Sequence, residues 1–370
     1  MPSIRVVSLE QVATILDGIN FEDILTSQAK AFHAYSANET QTPQRPTLQT
    51  SYHSTLIMPA RIDSLTSVVK IVSVPKQDSK NGLPGVTIVM DNETGEPRGL
   101  VNARLLTAVR TAAGSALATR AIFSAKKSSD TEAELTLVVF GSGAQAKSHI
   151  QLLTHVLPQI NKVIICNRTL PRAQDLVNEL QPQYKNKVDI VAFSISTGES
   201  TAPVTTNAEQ SKEDQLKHIV QSANVICTCT NTRQPLFPGE WVKSGTHLNM
   251  VGSYTPEMHE IDQTLVKRAV TLADARRECE EEAGEFILAK KETGQNGIVA
   301  ELGQLFDKNG QFVQLEFPSE FALLSSSGMV GDNKDVSIFK SVGIAAQDVA
   351  ITALILDKAE EMNLGTVTEI

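Results

Sequence analysis

The stretch Glu134-Leu-Thr-Leu-Val-Val-Phe140 runs directly into Gly141-Ser-Gly-Ala-Gln-Ala146 and then into a helical pattern. An apolar run without polar alternation reads as a strand covered on both faces, as in parallel sheets. Gly141 permits a tight turn, and Gly143 lets the backbone approach a pyrophosphate. Ala146, in place of a third glycine, still allows close helix–strand packing. The following helix opens with Ala144 and Gln145, and its free N–H groups and dipole favour an anion at its start. Such glycines alone are a weak signal; between a strand and a helix they mark a dinucleotide site.

The β/α rhythm continues outward from this unit to about residue 300. Strands are expected at Lys162–Asn167, Val188–Phe193, Asn224–Thr230, His247–Gly252 and Val270–Asp274. Helices are expected from Pro171, with proline in its first turn, and from about Glu213. Alternation of this kind implies a parallel sheet with helices on both faces. Ser194–Ser211 is rich in Ser, Thr and Asn and reads as an exposed insertion loop. The first 130 or so residues differ: two helical patterns (Leu9–Ile19, Phe21–Tyr35) precede strand-like runs at Thr55–Arg61, Ser67–Ser73 and Val86–Asp91. Asp91-Asn-Glu-Thr-Gly95 carries hairpin-turn chemistry, a long helix is expected from around Asn102, and the segment from Ile338 onward reads as another. The fold class is therefore α/β, with a Rossmann-type domain (129–317) inserted into an α+β domain built from both chain ends (1–128 plus 318–370).

With 370 residues the chain has ample core for two domains. A formal charge of −9 and the lack of a dense Lys/Arg block argue against nucleic acid as a partner. Cys166, Cys227, Cys229 and Cys279 show no zinc or disulfide spacing, so no metal is expected. Cys227 and Cys229 alternate in an apolar run as buried thiols, which fits a reducing compartment. With no apolar stretch of about 18 residues and no leader-like start, the expectation is a soluble, cytoplasmic protein with no membrane partner.

An NAD-selective site usually carries Asp or Glu at the end of the second strand. Here that position reads Asn167-Arg168-Thr169, followed by Arg172. A carboxylate would repel a 2′-phosphate, whereas Arg168 attracts one and pairs with it bidentately. Two cations at a helix start also oppose its dipole unless an anion binds there. NADP(H) is thus favoured, with NAD(H) remaining possible.

Lys70 sits inside Val68-Val-Lys-Ile-Val72, Arg110 inside Thr107-Ala-Val-Arg-Thr-Ala-Ala-Gly114, and Arg45 in Pro43-Gln-Arg-Pro46. Burying an ammonium is costly and lowers its pKa, although an edge-strand lysine can snorkel out. Each cation alone reads as structural. Three of them outside the nucleotide domain suggest a carboxylate clamp plus a catalytic ammonium.

With these pieces assembled, the chain resembles the ornithine cyclodeaminase/mu-crystallin family. The resemblance is carried by Arg45, Lys70, Arg110-Thr-Ala-Ala113, Gly141–Ala146, Asn167-Arg-Thr169, Val251-Gly-Ser-Tyr-Thr-Pro256 and Phe339-Lys-Ser-Val-Gly343, in that order along nearly the whole chain. It implies a homodimer whose substrate domains pair, and a small-molecule carboxylate substrate held by Arg45 and Arg110. It further implies that Lys70 contacts the carboxylate and the reacting centre. Thr111 and Ser115 would meet the cofactor's phosphates and nicotinamide, Thr228, Thr230 and Val251 would flank it, and Ser341, Val342 and Gly343 would touch the carboxamide. Ornithine cyclodeaminases carry an aspartate where this chain has Tyr254, and a tyrosine cannot replace it as ion-pair partner or base at neutral pH. Tyr254 joins Lys70 as a candidate catalytic residue. Thr255-Pro256-Glu257 reads as the N-cap and acidic first turn of a helix.

The leading expectation is an NADP(H)-dependent oxidoreductase acting on a C–N bond beside a carboxylate, of the ketimine reductase, imino-acid reductase or amino-acid dehydrogenase type. The alternatives are an ornithine cyclodeaminase using NAD+ as a catalytic cofactor, and a non-enzymatic NADPH-dependent small-ligand binder of mu-crystallin type.

Overall fold

The computed structural model describes residues 3–76, 83–125, 133–185, 187–196, 211–294, 297–313 and 334–370. The chain divides into two compact units. Met1–Leu117, Glu301–Glu316 and Gly343–Ile370 form one; Ala118–Ala300 and Phe317–Val342 form the other.

The first unit is built on a mixed sheet. Its strand order is Thr366–Glu369, Ser3–Val7, Pro97–Asn102, Gly85–Met90, Ser67–Pro75, His53–Ile62 and Thr40–Gln41, with Thr47–Gln49 also paired to His53–Ile62. Asp91 Oδ1 accepts the backbone N–H groups of Glu93 and Thr94 at 3.0 and 2.8 Å, the side-chain turn that folds Gly85–Met90 back onto Pro97–Asn102. Alternate residues of Ser67–Pro75 are buried, so Val68, Lys70 and Val72 share one face. Register sets Met58, Lys70 and Thr87 side by side on three neighbouring strands. The final helix, Ala345–Glu361, packs on these strands and beside helix Phe21–Ser36, presenting Ala346, Val349, Ala350 and Ala353 as buried small residues.

The second unit holds a sheet ordered Asp189–Ser194, Ile160–Asn167, Leu135–Phe140, Val225–Thr228, His247–Met250, Val336–Lys340, Ala269–Ala273 and Ile298–Glu301. The first seven are mutually parallel. Leu137 and Val139 enter one apolar cluster with Ile150 and Leu176; Val138 and Phe140 enter another with Trp241 and Phe286. Both faces of that strand are therefore covered, which is why its sequence shows no alternation.

Three local expectations are corrected. Ile338–Lys340 is not helical: Val336–Lys340 is a fully buried strand between His247–Met250 and Ala269–Ala273, because Val-Ser-Ile-Phe-Lys packs well as a pleat. Gly343, with φ +84°, then breaks the chain direction before the helix opens at Ala345. The long helix expected from Asn102 starts at Leu106, since Asn102 closes a strand and its side chain accepts from Arg104 N at 3.1 Å. Thr255-Pro256-Glu257 is a turn closed by Met258 N donating to Thr255 O at 3.0 Å; the helix cap is Asp262, which accepts from Leu265 N. Most of the expected loop 194–211 and the expected boundary at Pro318 lie outside the described residues. The strand Val336–Lys340, expected in the terminal domain, belongs to the second unit, and Glu301–Glu316 to the first.

Candidate active site

Lys70 is the centre of the first unit's polar core. Its Nζ donates to Asp348 Oδ2 at 2.6 Å, with both side chains only 3% exposed. Asp348 lies in the first turn of the final helix, where the helix dipole also favours its charge. Arg110 Nε lies 3.5 Å from Asp348 Oδ1, an ion pair without a hydrogen bond. Two buried cations thus share one carboxylate and leave a positive charge unmatched within this trio. Burial pushes the Lys70 ammonium below the ordinary lysine range; Asp348 opposes that shift, while the guanidiniums of Arg110 and Arg45 add to it. Arg45, half-buried in a segment without regular structure, is therefore close enough to act on Lys70. The structure brings together the three cations singled out in the sequence.

Gln347 fixes the guanidinium of Arg110. Arg110 Nη1 donates to Gln347 Oε1 and Gln347 Nε2 donates back to Arg110 O, each at 2.9 Å. Beside Lys70 in register, the hydroxyl of Thr87 is buried without a hydrogen-bond partner. Buried polar atoms are seldom left unpaired unless a ligand or water meets them. Thr111 and Ser115 are buried further along the Arg110 helix, the Thr111 hydroxyl donating to Thr107 O at 2.8 Å.

In the second unit the glycine turn has the geometry its sequence demands. Gly141 has φ +111°, and a Cβ there would lie 2.9 Å from Cys229 O, so only glycine fits. Gly143 is the N-cap of helix Ala144–Val156, makes no side-chain cap bond and faces open space. Gln145 Oε1 is buried with no hydrogen-bond partner. An uncapped helix start, an open glycine and an orphaned amide oxygen fit a bound dinucleotide. Asn167 ends the second strand, with its Nδ2 donating to Thr169 O at 2.9 Å, and Arg168 and Arg172 are exposed at the next helix start.

The other second-unit candidates sit on a scaffold of buried carboxylates. Glu260 accepts from Thr228 Oγ1 at 2.8 Å, Thr230 Oγ1 at 2.7 Å, and the N–H groups of Thr230 and Gly252 at 2.8 Å each. The two threonine hydroxyls are thus engaged in pinning two strand ends, and Val251 N closes onto Thr228 O at 3.1 Å. Asp274 Oδ2 accepts from Ser341 Oγ at 2.7 Å and Val342 N at 3.1 Å. Tyr254 is 41% exposed and follows Ser253, which is wholly buried with Lys340 and Glu285: Lys340 Nζ donates to Ser253 Oγ at 2.6 Å and lies 3.3 Å from Glu285 Oε1. Asp348, Gln347, Thr87, Glu260 and Asp274 were not singled out in the sequence as site residues.

One unit holds a buried cation cluster and the other a Rossmann-type sheet with an open glycine turn, which makes this a two-unit α/β protein with a Rossmann-type unit. Residues 5–363 match the ornithine cyclodeaminase/mu-crystallin family, and the chain belongs to it. It is 28% identical over 362 residues to a Delta(1)-pyrroline-2-carboxylate reductase of Bacillus thuringiensis subsp. konkukian, spanning 95% of this chain and 96% of that relative. It is 28% identical over 298 residues to the ketimine reductase mu-crystallin of Rattus norvegicus, spanning 80% and 76% of the two chains. In fold it matches Thermococcus litoralis Delta(1)-pyrroline-2-carboxylate reductase in complex with NADH and L-proline, with a TM-score of 0.75 at 22% identity over 98% of this chain and 99% of that one.

Proposed function

We propose that the protein is an NADP(H)-dependent oxidoreductase that reduces the C=N bond of a cyclic imino acid, of the pyrroline-2-carboxylate or ketimine type, to the amine. The observation that carries this reading is the buried Lys70–Asp348–Arg110 cluster, in which two cations share one carboxylate. A substrate carboxylate supplies the missing negative charge, held by Arg110 with Arg45 beside it. The names of the relatives from Bacillus thuringiensis and Rattus norvegicus point to the same chemistry.

The nicotinamide, when bound, supplies the hydride that reduces the imine carbon. Gly141, Gly143, Gln145 and the N-terminus of helix Ala144–Val156 would hold the pyrophosphate, and Arg168 with Arg172 the 2′-phosphate that distinguishes NADPH from NADH. Lys70 keeps one N–H on Asp348 and has two left for the substrate. One orients the carboxylate; the other supplies the proton that the imine nitrogen gains as its carbon is reduced. An ammonium with a depressed pKa gives up that proton more readily than an ordinary lysine. Gln347 keeps the Arg110 fork in place for two-point contact with the carboxylate.

Tyr254, where the family resemblance implies an aspartate in ornithine cyclodeaminases, supports reduction over cyclodeamination. The test is NADPH oxidation with pyrroline-2-carboxylate and piperideine-2-carboxylate. Turnover with either supports the reading; no turnover by a protein that still binds NADPH overturns it. Ammonia release from ornithine with NAD+ and no net redox change would favour a cyclodeaminase.

A further inference from the structure

Glu260 is a wholly buried carboxylate without a counter-ion. Each of its oxygens accepts one backbone N–H and one hydroxyl. Oε1 takes Thr230 N at 2.8 Å and Thr230 Oγ1 at 2.7 Å; Oε2 takes Gly252 N and Thr228 Oγ1, both at 2.8 Å. The lone-pair positions of both oxygens are thus filled, in part by N–H groups that cannot accept a proton in return, and such donors favour the ionised form. Among the described residues no cation forms an ion pair with it. Lys340, whose charge reaches it, lies 3.3 Å from Glu285 Oε1 and is matched there. Burial pushes the Glu260 carboxyl above its ordinary range against the pull of Lys340 and the Thr230 donors, and Glu285 adds to the push. The hydrogen bonds hold the charge in place without cancelling it.

The residues that Glu260 ties together lie where the sheet changes direction. From Leu135–Phe140 the chain runs through Ile160–Asn167 to Asp189–Ser194 on one side, then returns to Val225–Thr228 and His247–Met250 on the other. A dinucleotide lies across such a switch point, outside the carboxyl ends of the strands. With the pyrophosphate on the Gly141–Gly143 turn and the adenosine half toward Arg168, the nicotinamide half falls on the side of Val225–Thr228 and His247–Met250. Glu260 joins the ends of those two strands. Gly252 must be glycine for this, since a Cβ there would meet Thr230 O and Glu260 Oε1.

We propose that Glu260 is a positioning residue whose unmatched charge favours the cationic nicotinamide of NADP+ over the neutral ring of NADPH. This rests on the dinucleotide site proposed for the glycine turn. Transfer of hydride, two electrons with one proton, to the imine carbon leaves the ring with one positive charge, while Lys70 gives the imine nitrogen its proton. Glu260 stabilises the charge that appears, so bound NADPH is a stronger hydride donor than free NADPH. At an effective dielectric constant of about 20, opposite unit charges about 10 Å apart attract strongly enough for more than a tenfold difference in affinity. A tenfold preference for NADP+ lowers the midpoint potential of this two-electron couple by about 30 mV.

Full-length protein freed of dinucleotide is titrated by calorimetry with NADP+, NADPH and 2′,5′-ADP, which carries no nicotinamide. The wild type should bind NADP+ more tightly than NADPH. Glu260→Gln should weaken NADP+ by more than about tenfold while leaving NADPH and 2′,5′-ADP within about twofold. Glu260→Asp, which keeps the charge, should keep the preference. A merely structural role would cost all three ligands alike, and that result overturns the proposal. So does a wild type that binds NADPH at least as tightly as NADP+, a comparison that needs no variant. If both dinucleotides bind and their ratio ignores Glu260, only this proposal fails; if neither binds, the dinucleotide site fails with it.

Discussion

Gly343 leaves no room for a side chain beside Arg110: at its φ of +84°, a Cβ would collide with the guanidinium Nη1. The last turn before the final helix thus sets where the guanidinium fork can lie. Gly343→Ala should displace the fork and force a left-handed backbone on an L-residue, at about 1–3 kcal/mol. The expected outcome is a higher KM for the imino acid with a smaller change in kcat, together with a lower melting temperature. Steady-state kinetics and a thermal melt check both.

Lys70 is predicted to carry the alkaline limb of the pH profile. Its depressed pKa means the proton is lost as pH rises, before ordinary lysines titrate, so kcat should fall on that side. Lys70→Ala should lower kcat by at least about 100-fold, the usual worth of a positioned acid, with NADPH still bound. Lys70→Arg, which keeps its proton throughout, should flatten the limb while staying well below wild-type activity. A limb unchanged in Lys70→Arg would remove the lysine from that role.

Asp348→Asn separates positioning from catalysis. Removing the carboxylate leaves a buried ammonium and guanidinium uncompensated, a loss of about 3–5 kcal/mol of stability if the lysine stays charged. Asp348 is also what raises the Lys70 pKa against burial, so the alkaline limb should move to lower pH. Chemical denaturation measures the first effect and the pH dependence of kcat the second.

The proposed preference for NADPH is tested at Arg168. Arg168→Asp replaces an exposed cation with a carboxylate that repels a 2′-phosphate and can accept from a ribose hydroxyl. NADPH affinity should fall by more than about tenfold while NADH affinity is kept or improved, measured by fluorescence titration. Equal effects on the two would refute the assignment.

The parts of this architecture legible in the sequence are those with a local physical signature. Glu134–Ala146 declares a strand, a turn and a helix start within 13 residues, and Lys70 stands out because it interrupts a β-branched run. Asp348 escapes the same test, because with the helix read from Ile338 it is one more acid inside a long helix, and only the true start at Ala345 puts it in the first turn. Gln347 and Thr87 are polar residues of ordinary appearance; only tertiary burial gives them meaning. Val336–Lys340 misleads because a short apolar run next to a genuine helix has no period of its own.

Lys70 and its carboxylate are separated by 278 positions. On a translating ribosome the lysine therefore emerges roughly 15–60 seconds before Asp348, at about 5–20 residues per second. During that interval the early strands cannot close around a compensated ammonium, and the whole dinucleotide unit is synthesised before the partner arrives. The last helix is thus the step that completes the Lys70–Asp348–Arg110 cluster, and a nascent chain stopped short of it would carry a finished glycine turn but two cations still without their carboxylate.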